Sequence, residues 1–221
     1  PCSRIMNLRY VLRLLPLLLL APGLARAQNC TLGTASSDLA VNNVRARLYN
    51  NGGLFWKGAG NVYNVPRVPP GQNITPNSIF AAGLWMGGKV GGQPRMAAAA
   101  YSNWELYPGP LDAAGNAPTD CTGYDRIFTV TKADIAAYEA SGVMSDDLRA
   151  WPKAWGAPVV DGDGNPNNYN LAGGDRPEIL GHETHWWVMN DAAGPHGNTG
   201  TPPMNMEVRV TAFGADSDAD I

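Results

Sequence analysis

Glycine and proline interrupt this chain so often that the apolar stretches between them remain short. The 221 residues include 26 glycines and 18 prolines, which is above average usage but lacks the repetition of a low-complexity chain. Turn-forming residues between short runs of alternating apolar and polar side chains are typical of an all-β domain. The fold class that we predict is therefore mainly β, an antiparallel β-sandwich-like domain with a short helical insertion.

Six stretches carry the pattern expected of strands. In the clearest, residues 206–213, the even-numbered side chains are Met, Val, Val and Ala and share one face. Residues 79–86 and 96–101 flank the sequence GGKVGGQP and predict a hairpin with a glycine-rich tip. The remaining strand candidates are residues 44–49, 127–131 and 184–190.

Helix signals are confined to a short part of the chain. Thr131 and Asp134 have the spacing of a capping box, and the amphipathic segment that follows ends at Gly142. Ser145 predicts the cap of a second short helix. Because these helices are few and local, we interpret them as an insertion packed beside a sheet.

Seven tryptophans are many for a chain of this length. Large aromatic side chains commonly fill the core of a sandwich. Trp186 and Trp187 must point to opposite faces of a strand, so we expect one in the core and the other under a loop or helix. Exposed tryptophans could instead form a platform for sugars, and both interpretations remain open at this point.

The first 27 residues have the parts of a secretory signal peptide. Arg9 and Arg13 provide a positive start after Met6, residues 14–20 form an apolar run, and Ala-Arg-Ala at 25–27 is a small-x-small cleavage site. The apolar run is too short to span the hydrocarbon core of a bilayer, which needs roughly 20 residues. We expect export, cleavage after Ala27, and an extracellular or cell-surface location.

The expected domains are thus a signal peptide at 1–27, with residues 1–5 upstream of its start, and one β-rich domain at 28–221. We expect this domain to be C-terminally truncated and not to span a membrane. Four of the 16 basic residues lie in the leader, so the chain from Gln28 has 12 basic and 19 acidic residues and a net charge of −7. An acidic chain without a basic cluster argues against nucleic acid as a partner. The partners that we expect are the export machinery and surface polymers or carbohydrate.

Two cysteines, Cys30 and Cys121, remain in the expected mature chain. In an exported protein such a pair predicts one disulfide, with two unpaired thiols as the alternative. Neither cysteine belongs to a CxxC motif, so redox catalysis is not expected.

The sequence contains no G-x-S-x-G elbow, no Walker loop and no G-x-G-x-x-G after a strand. His182 and His185 are three residues apart, whereas a zinc-protease helix requires histidines at i and i+4. On a strand, residues three apart face opposite sides. A metal-dependent hydrolase that also uses His196 is therefore only an alternative, and we predict that the chain is not an enzyme.

The best candidate site is the stretch VVDGDGNPNNYNLAGGDRPEILG at 159–181. Asp161, Asp163 and Asn165 occupy every second position, a spacing that can converge oxygen ligands on a calcium ion, and Asp175 is a further candidate ligand. The sixth and twelfth positions are proline and alanine, which excludes an EF-hand loop. Asp-Gly and Gly-Asn are also strong turn formers. A structural calcium site and a plain turn both remain as hypotheses.

Several segments together resemble a known group of proteins. They are VNNVRARLYNNGGLFW, SIFAAGLWMGG, NWELYPGPLDAAGN, the stretch from Gly156 to Gly181, and HWWVMNDAAGPHGNTGTPPMNMEVRVTAF. This series, from about residue 38 to 213, is similar to the N-terminal region of large secreted or surface proteins of the Bacteroidetes and related phyla. Such proteins commonly end in a type A sorting domain that the type IX secretion system recognises. The resemblance implies export to the surface or medium and implies no particular activity.

We therefore predict a non-catalytic extracellular module with a structural or adhesive role. A carbohydrate-binding module that uses exposed tryptophans is the alternative.

Overall fold

The computed structural model describes residues 30–57, 60–67, 76–101 and 103–216. The expected signal peptide and the end of the chain after Asp216 lie outside the described residues. Within them the protein is mainly β, with antiparallel sheets and short helices. The predicted fold class, a β-sandwich-like domain, is confirmed.

The described strands are mostly short, and only two of them have eight residues. In chain order the strands are β1 (Ser36–Leu39), β2 (Arg45–Tyr49), β3 (Gly53–Leu54), β4 (Trp56–Lys57), β5 (Gly60–Asn61), β6 (Tyr63–Asn64), β7 (Ala82–Gly83), β8 (Trp85–Val90), β9 (Gln93–Ala98), β10 (Tyr107–Pro108), β11 (Phe128–Thr131), β12 (Val159–Val160), β13 (Arg176–Pro177), β14 (Glu183–Asn190) and β15 (Glu207–Gly214). The helices are α1 (Lys132–Ser141) and α2 (Asp146–Arg149), with single 3₁₀ turns at Thr122–Tyr124, Lys153–Trp155 and Leu171–Gly173.

Two sheets and three two-stranded ribbons make up the β structure. The first sheet has the order β1-β2-β3-β7, with β6 also paired to β2. In the second sheet, β14 pairs with β10 and β11 along one edge and with β15 along the other, all antiparallel. The ribbons are β4-β5, β8-β9 and β12-β13.

Strand β14 is buried on both of its faces, which explains the unbroken apolar run Trp186–Met189 at its centre. Trp186 packs into a core with Phe128, Leu148 and Trp151, on the side that carries the helices. Trp187 packs on the other side, in the core between the two sheets. The two neighbouring tryptophans thus pack in different hydrophobic cores on opposite faces of the sheet, as the alternation of side chains along a strand predicts.

Both helices begin as predicted. The Thr131 hydroxyl accepts the Asp134 amide, and the Asp134 carboxylate accepts the Thr131 amide, which completes a capping box. Gly142 ends α1 in the left-handed conformation at φ 72°. The Ser145 hydroxyl accepts the Leu148 amide at the start of α2. Both helices of the insertion are therefore capped by residues next to them in sequence, and they cover one face of the second sheet.

The predicted hairpin is present, but its tip is shorter than predicted. The strands reach Val90 and Gln93, which are register partners, so the turn consists of Gly91 and Gly92 alone. Both glycines have positive φ, at 58° and 80°, as a two-residue hairpin turn of the primed type requires. The glycines at 87 and 88 belong to β8, and the predicted strand limits were wrong because glycine in a strand looks like a turn.

Cys30 and Cys121 form a disulfide, with an S–S distance of 2.00 Å. The predicted pairing is confirmed. The bond joins the first described residue to a buried site beside Tyr107 and Ala193. It therefore fastens the start of the domain to its middle, across 91 positions in sequence.

A buried carboxylate fastens a long loop to the ribbon β8-β9. Both carboxylate oxygens of Glu105 are used: one accepts the amides of Asn198 and Thr199 at 2.6 and 2.5 Å, and the other accepts the Ala98 amide at 2.8 Å. Burial raises the pKa of the Glu105 carboxyl, but the backbone N–H groups outweigh it and hold the pKa below its ordinary value. Because the pKa of Glu105 is lower in the folded than in the unfolded protein, its carboxylate stabilises the fold fully at pH values above the unfolded-state pKa. This contribution is lost as the pH falls through the folded-state pKa.

We expect Glu105→Gln to lower the free energy of unfolding by about 2 kcal/mol at pH 7. The variant loses hydrogen bonds to a charged acceptor, and the NH₂ group of the glutamine faces backbone N–H groups that are also donors. The difference should shrink below about pH 4, where glutamate is protonated in the unfolded chain. Urea unfolding at neutral and acidic pH measures both effects. The exposed Glu178→Gln is the control, and equal stability of Glu105→Gln and wild type at pH 7 would contradict this account.

Candidate functional site

Three aspartates meet where the ribbon β12-β13 closes a loop. Asp161 directly follows β12 and Asp175 directly precedes β13, and these strands pair Val160 with Arg176. The pairing brings the two carboxylates together, and the intervening turn adds Asp163. One oxygen from each of the three side chains lies within 4.8 Å of the others. We call Asp161, Asp163 and Asp175 the acidic loop.

Backbone amides orient the carboxylates of the acidic loop. Asp161 accepts the Gly164 amide at 2.7 Å, and Asp163 accepts the Asn165 amide at 2.9 Å. Asp175, which is buried, accepts the Gly162 amide at 2.9 Å and the Asn170 amide at 2.6 Å. The bonds of Asp161 and Asp163 close local turns, whereas those of Asp175 join the two ends of the loop, so the three carboxylates are held close together by the bonds that shape the loop.

Amide side chains hold the second oxygen of Asp163. The Nδ2 groups of Asn168 and Asn170 donate to it at 2.9 and 3.1 Å. The Asn168 side chain is the largest cause of a lowered pKa at the Asp163 carboxyl, followed by the Asn165 amide. The Asp163 carboxyl therefore keeps its negative charge to more acidic pH than an ordinary aspartate does.

No basic side chain in the described ranges forms an ion pair with the acidic loop. Arg176, which follows Asp175 in sequence, donates to the carboxylate of Glu139 and to the backbone oxygens of Leu171 and Asp175. Three carboxylates within 4.8 Å of one another repel each other unless a cation lies between them. The arrangement can bind a hard cation through oxygen ligands.

Three of the four predicted calcium ligands lie close together, and their binding of calcium stays a prediction. The fourth, Asn165, is in the same turn, but its side-chain oxygen accepts the Asn167 amide at 3.2 Å. The contributions of Asn168 and Asn170 were not predicted from the sequence. Their spacing from Asp163, five and seven residues, follows no simple period, and only the folded loop shows the contacts.

The three histidines do not converge. The His185 ring lies between the Thr129 hydroxyl at 3.0 Å and the Glu183 carboxylate at 2.7 Å. His182 accepts the Asp216 amide, and the ring nitrogens of His196 face the backbone oxygens of Met96 and Asp191. Within the described ranges, the acidic loop is the one group of three or more histidine, cysteine, aspartate or glutamate side chains close enough to share a metal ion. The zinc arrangement required by the hydrolase alternative is therefore absent there.

A second surface feature is aromatic. The rings of Trp56, Phe80 and Tyr101 lie together, with centroids 5.1 to 6.3 Å apart. Phe80 is 55% exposed and Tyr101 63% exposed. We call these three residues the aromatic patch. Phe80 and Tyr101 were not predicted from the sequence as possible sugar contacts, for which only tryptophans were candidates.

The seven tryptophans do not form an exposed row. Trp151, Trp186 and Trp187 are buried, and Trp85 alone is largely exposed, at 67%. The expectation that most tryptophans fill cores and cover edges agrees with these positions. The platform of exposed tryptophans that the carbohydrate alternative requires is not present, and the aromatic patch is the feature closest to it.

Comparison with family models, curated proteins and solved structures finds no match for this chain. None of the helices in the described ranges has the length and apolar character needed to cross a membrane.

Proposed function

We propose that this chain is a non-catalytic module of an exported bacterial protein, with a structural or adhesive role at the cell surface or in the medium. The observation that carries the proposal is the disulfide between Cys30 and Cys121. Disulfides persist in oxidising compartments and are rare in the cytosol. The sequence of the first 27 residues and the resemblance to type IX secretion cargo are in accord with that compartment.

Fractionation of the producing bacterium tests the proposed location. We expect the chain in the medium or on the outer surface of wild-type cells. In a strain that lacks type IX transport, we expect it to be retained in the periplasm. Recovery of the chain from the cytoplasm of wild-type cells would overturn the proposal.

We further propose that the acidic loop binds calcium as a structural ion. The carboxylate ligands are those of Asp161, Asp163 and Asp175. The hydrogen bonds of the loop hold these side chains close together before the ion binds. The ion would offset the repulsion among the carboxylates and fasten β12 to β13.

Calcium should therefore raise the melting temperature. Binding to the folded state alone adds about 2.7 kcal/mol to the free energy of unfolding at a hundredfold excess over Kd. Differential scanning fluorimetry with calcium, and then with a chelator, measures this shift. We expect Asp163→Asn to abolish it.

Asp112→Asn is the matched control for this experiment. Asp112 accepts the amides of Ala114 and Asn116 and the Asn116 side chain in a similar exposed turn, but it is not part of the acidic loop. This variant should keep the calcium shift. A wild-type melting temperature that neither calcium nor chelator changes would show that the acidic loop is only a turn.

A carbohydrate-binding role is the second candidate, and the aromatic patch is the observation that favours it. Its rings are partly exposed to solvent, and exposed aromatic rings can pack against the apolar faces of a ligand.

A further inference from the structure

Strand β15 forms one edge of the second sheet, and alternate residues along it direct their backbone groups away from β14. The Asp191 amide donates to the Met206 oxygen at 3.1 Å, in continuation of the antiparallel β14-β15 register. In such a ladder every second residue bonds to the neighbouring strand. The backbone groups of Val208, Val210 and Ala212 therefore bond to β14. Those of the residues between them point outward, which are Glu207, Arg209, Thr211 and Phe213.

The outward backbone groups of β15 have no partner among the described residues. No described strand pairs with this side of β15. None of the hydrogen bonds between described residues uses the N–H or C=O of the four outward residues. Every residue from Glu207 to Phe213 is at least partly exposed. The edge therefore presents a row of donors and acceptors that another strand can use.

The N–H groups of the opposite edge of the same sheet are already used. The outward residues of β11 are Thr129 and Thr131. The carboxylates of the helical insertion accept both amides, Asp147 from Thr129 and Asp134 from Thr131, each at 2.8 Å. The outward residue of β10 is Pro108, which has no N–H. Such devices protect sheet edges against pairing, so this fold protects one edge and leaves β15 available.

The side chains of β15 fit a second copy of the same strand. In an antiparallel pair with Val210 on the two-fold axis, each outward residue lies opposite an outward residue of the other copy. Val210 is then opposite Val210, and Val208 is opposite Ala212. These side chains belong to the core between the two sheets, so that apolar face continues across the interface. Pairs of β-branched residues stabilise antiparallel strands.

The charges of β15 also fit this pairing. Arg209 donates to the Glu207 carboxylate at 2.6 Å within the strand, so the edge carries no net charge. With Val210 on the axis, Arg209 lies opposite Thr211 of the second copy and Glu207 opposite Phe213, so no charge faces a like charge. These matches depend on the side chains of β15 and favour a second copy over an arbitrary extended peptide.

We propose that two copies of this chain associate through β15 and form one continuous sheet across a two-fold axis. The four opposed residue pairs make two backbone hydrogen bonds each, eight in all. Displacing the strands by two residues leaves three opposed pairs, and in one direction it also places Arg209 opposite Arg209. The interface is small, so the association is reversible. It depends neither on calcium nor on the route of export.

Sedimentation equilibrium of the purified folded chain between about 5 and 500 μM tests the proposal. We expect a monomer–dimer equilibrium. Thr211→Glu should tighten it and Thr211→Lys should weaken it, each by roughly fivefold, because the new charge lies opposite Arg209 twice in the dimer. Thr122→Lys adds the same charge in an exposed 3₁₀ turn outside the sheet and should change nothing. Equal melting temperatures in dilute solution would show that both Thr211 variants are folded.

Residue-specific amide hydrogen exchange identifies the edge that is used. In concentrated solution the amides of the four outward residues should exchange several-fold more slowly than in dilute solution, whereas those of Val208 and Val210 should be protected in both. A chain that stays monomeric over this concentration range would overturn the proposal. So would equal effects of Thr211→Glu and Thr211→Lys, or protection of the outward amides already in the dilute monomer.

Discussion

Replacement of both Cys30 and Cys121 by alanine should lower the free energy of unfolding by about 4 kcal/mol. The disulfide closes a loop across 91 positions in sequence, and in the chain-entropy model a loop of that length strongly restricts the unfolded state. A loss of this size is a large fraction of the stability of an ordinary domain. Urea unfolding of wild type and double variant, without reductant, measures it.

Reductant provides the control for the disulfide. It should bring the wild type close to the double variant and leave the double variant unchanged. If the double variant unfolds at the same urea concentration as the oxidised wild type, the bond contributes nothing to the fold. In that case the start of the domain would not depend on its attachment at Cys121.

Trp186→Ala should destabilise the domain by about 3–5 kcal/mol. Trp186 is 1% exposed, and its register partner Phe128 packs beside it in the core under the helices. Truncation removes buried apolar contacts and leaves a cavity that the neighbouring strands cannot fill, because β14 is paired along both edges. Thermal or urea unfolding measures the loss.

Trp85→Ala is the matched control for this substitution. Trp85 is the largely exposed tryptophan, and it makes one hydrogen bond through Nε1 to the Ala99 oxygen at 2.8 Å. Its removal should cost about 1 kcal/mol. Equal effects of Trp85→Ala and Trp186→Ala would contradict the layered arrangement in which β14 is covered on both faces.

Local patterns in the sequence were sufficient to predict much of the fold. The strands β2, β11, β14 and β15 lie within one residue of their predicted limits at each end, because alternation or a continuous apolar run marks them. The capping box at Thr131 and the glycine at 142 define α1 without reference to the rest of the chain. The cysteine pair was predicted because only two cysteines remain after the expected leader.

Contacts between distant segments were harder to predict. The strands β12 and β13 have two residues each, too few to show a period, yet their pairing brings Asp175 to Asp161. The aromatic patch draws one ring from each of three segments, and no pattern within a segment indicates that they meet. The positive φ of Tyr101, 48°, could not be predicted from the sequence, because tyrosine rarely adopts that conformation.

Mass spectrometry of the protein recovered from the medium or cell surface, without reduction, tests the proposed export most directly. The account predicts a chain that begins at Gln28, with Cys30 and Cys121 joined. A chain that retains residues 1–27, has two free thiols and is found in the cytoplasm would contradict it.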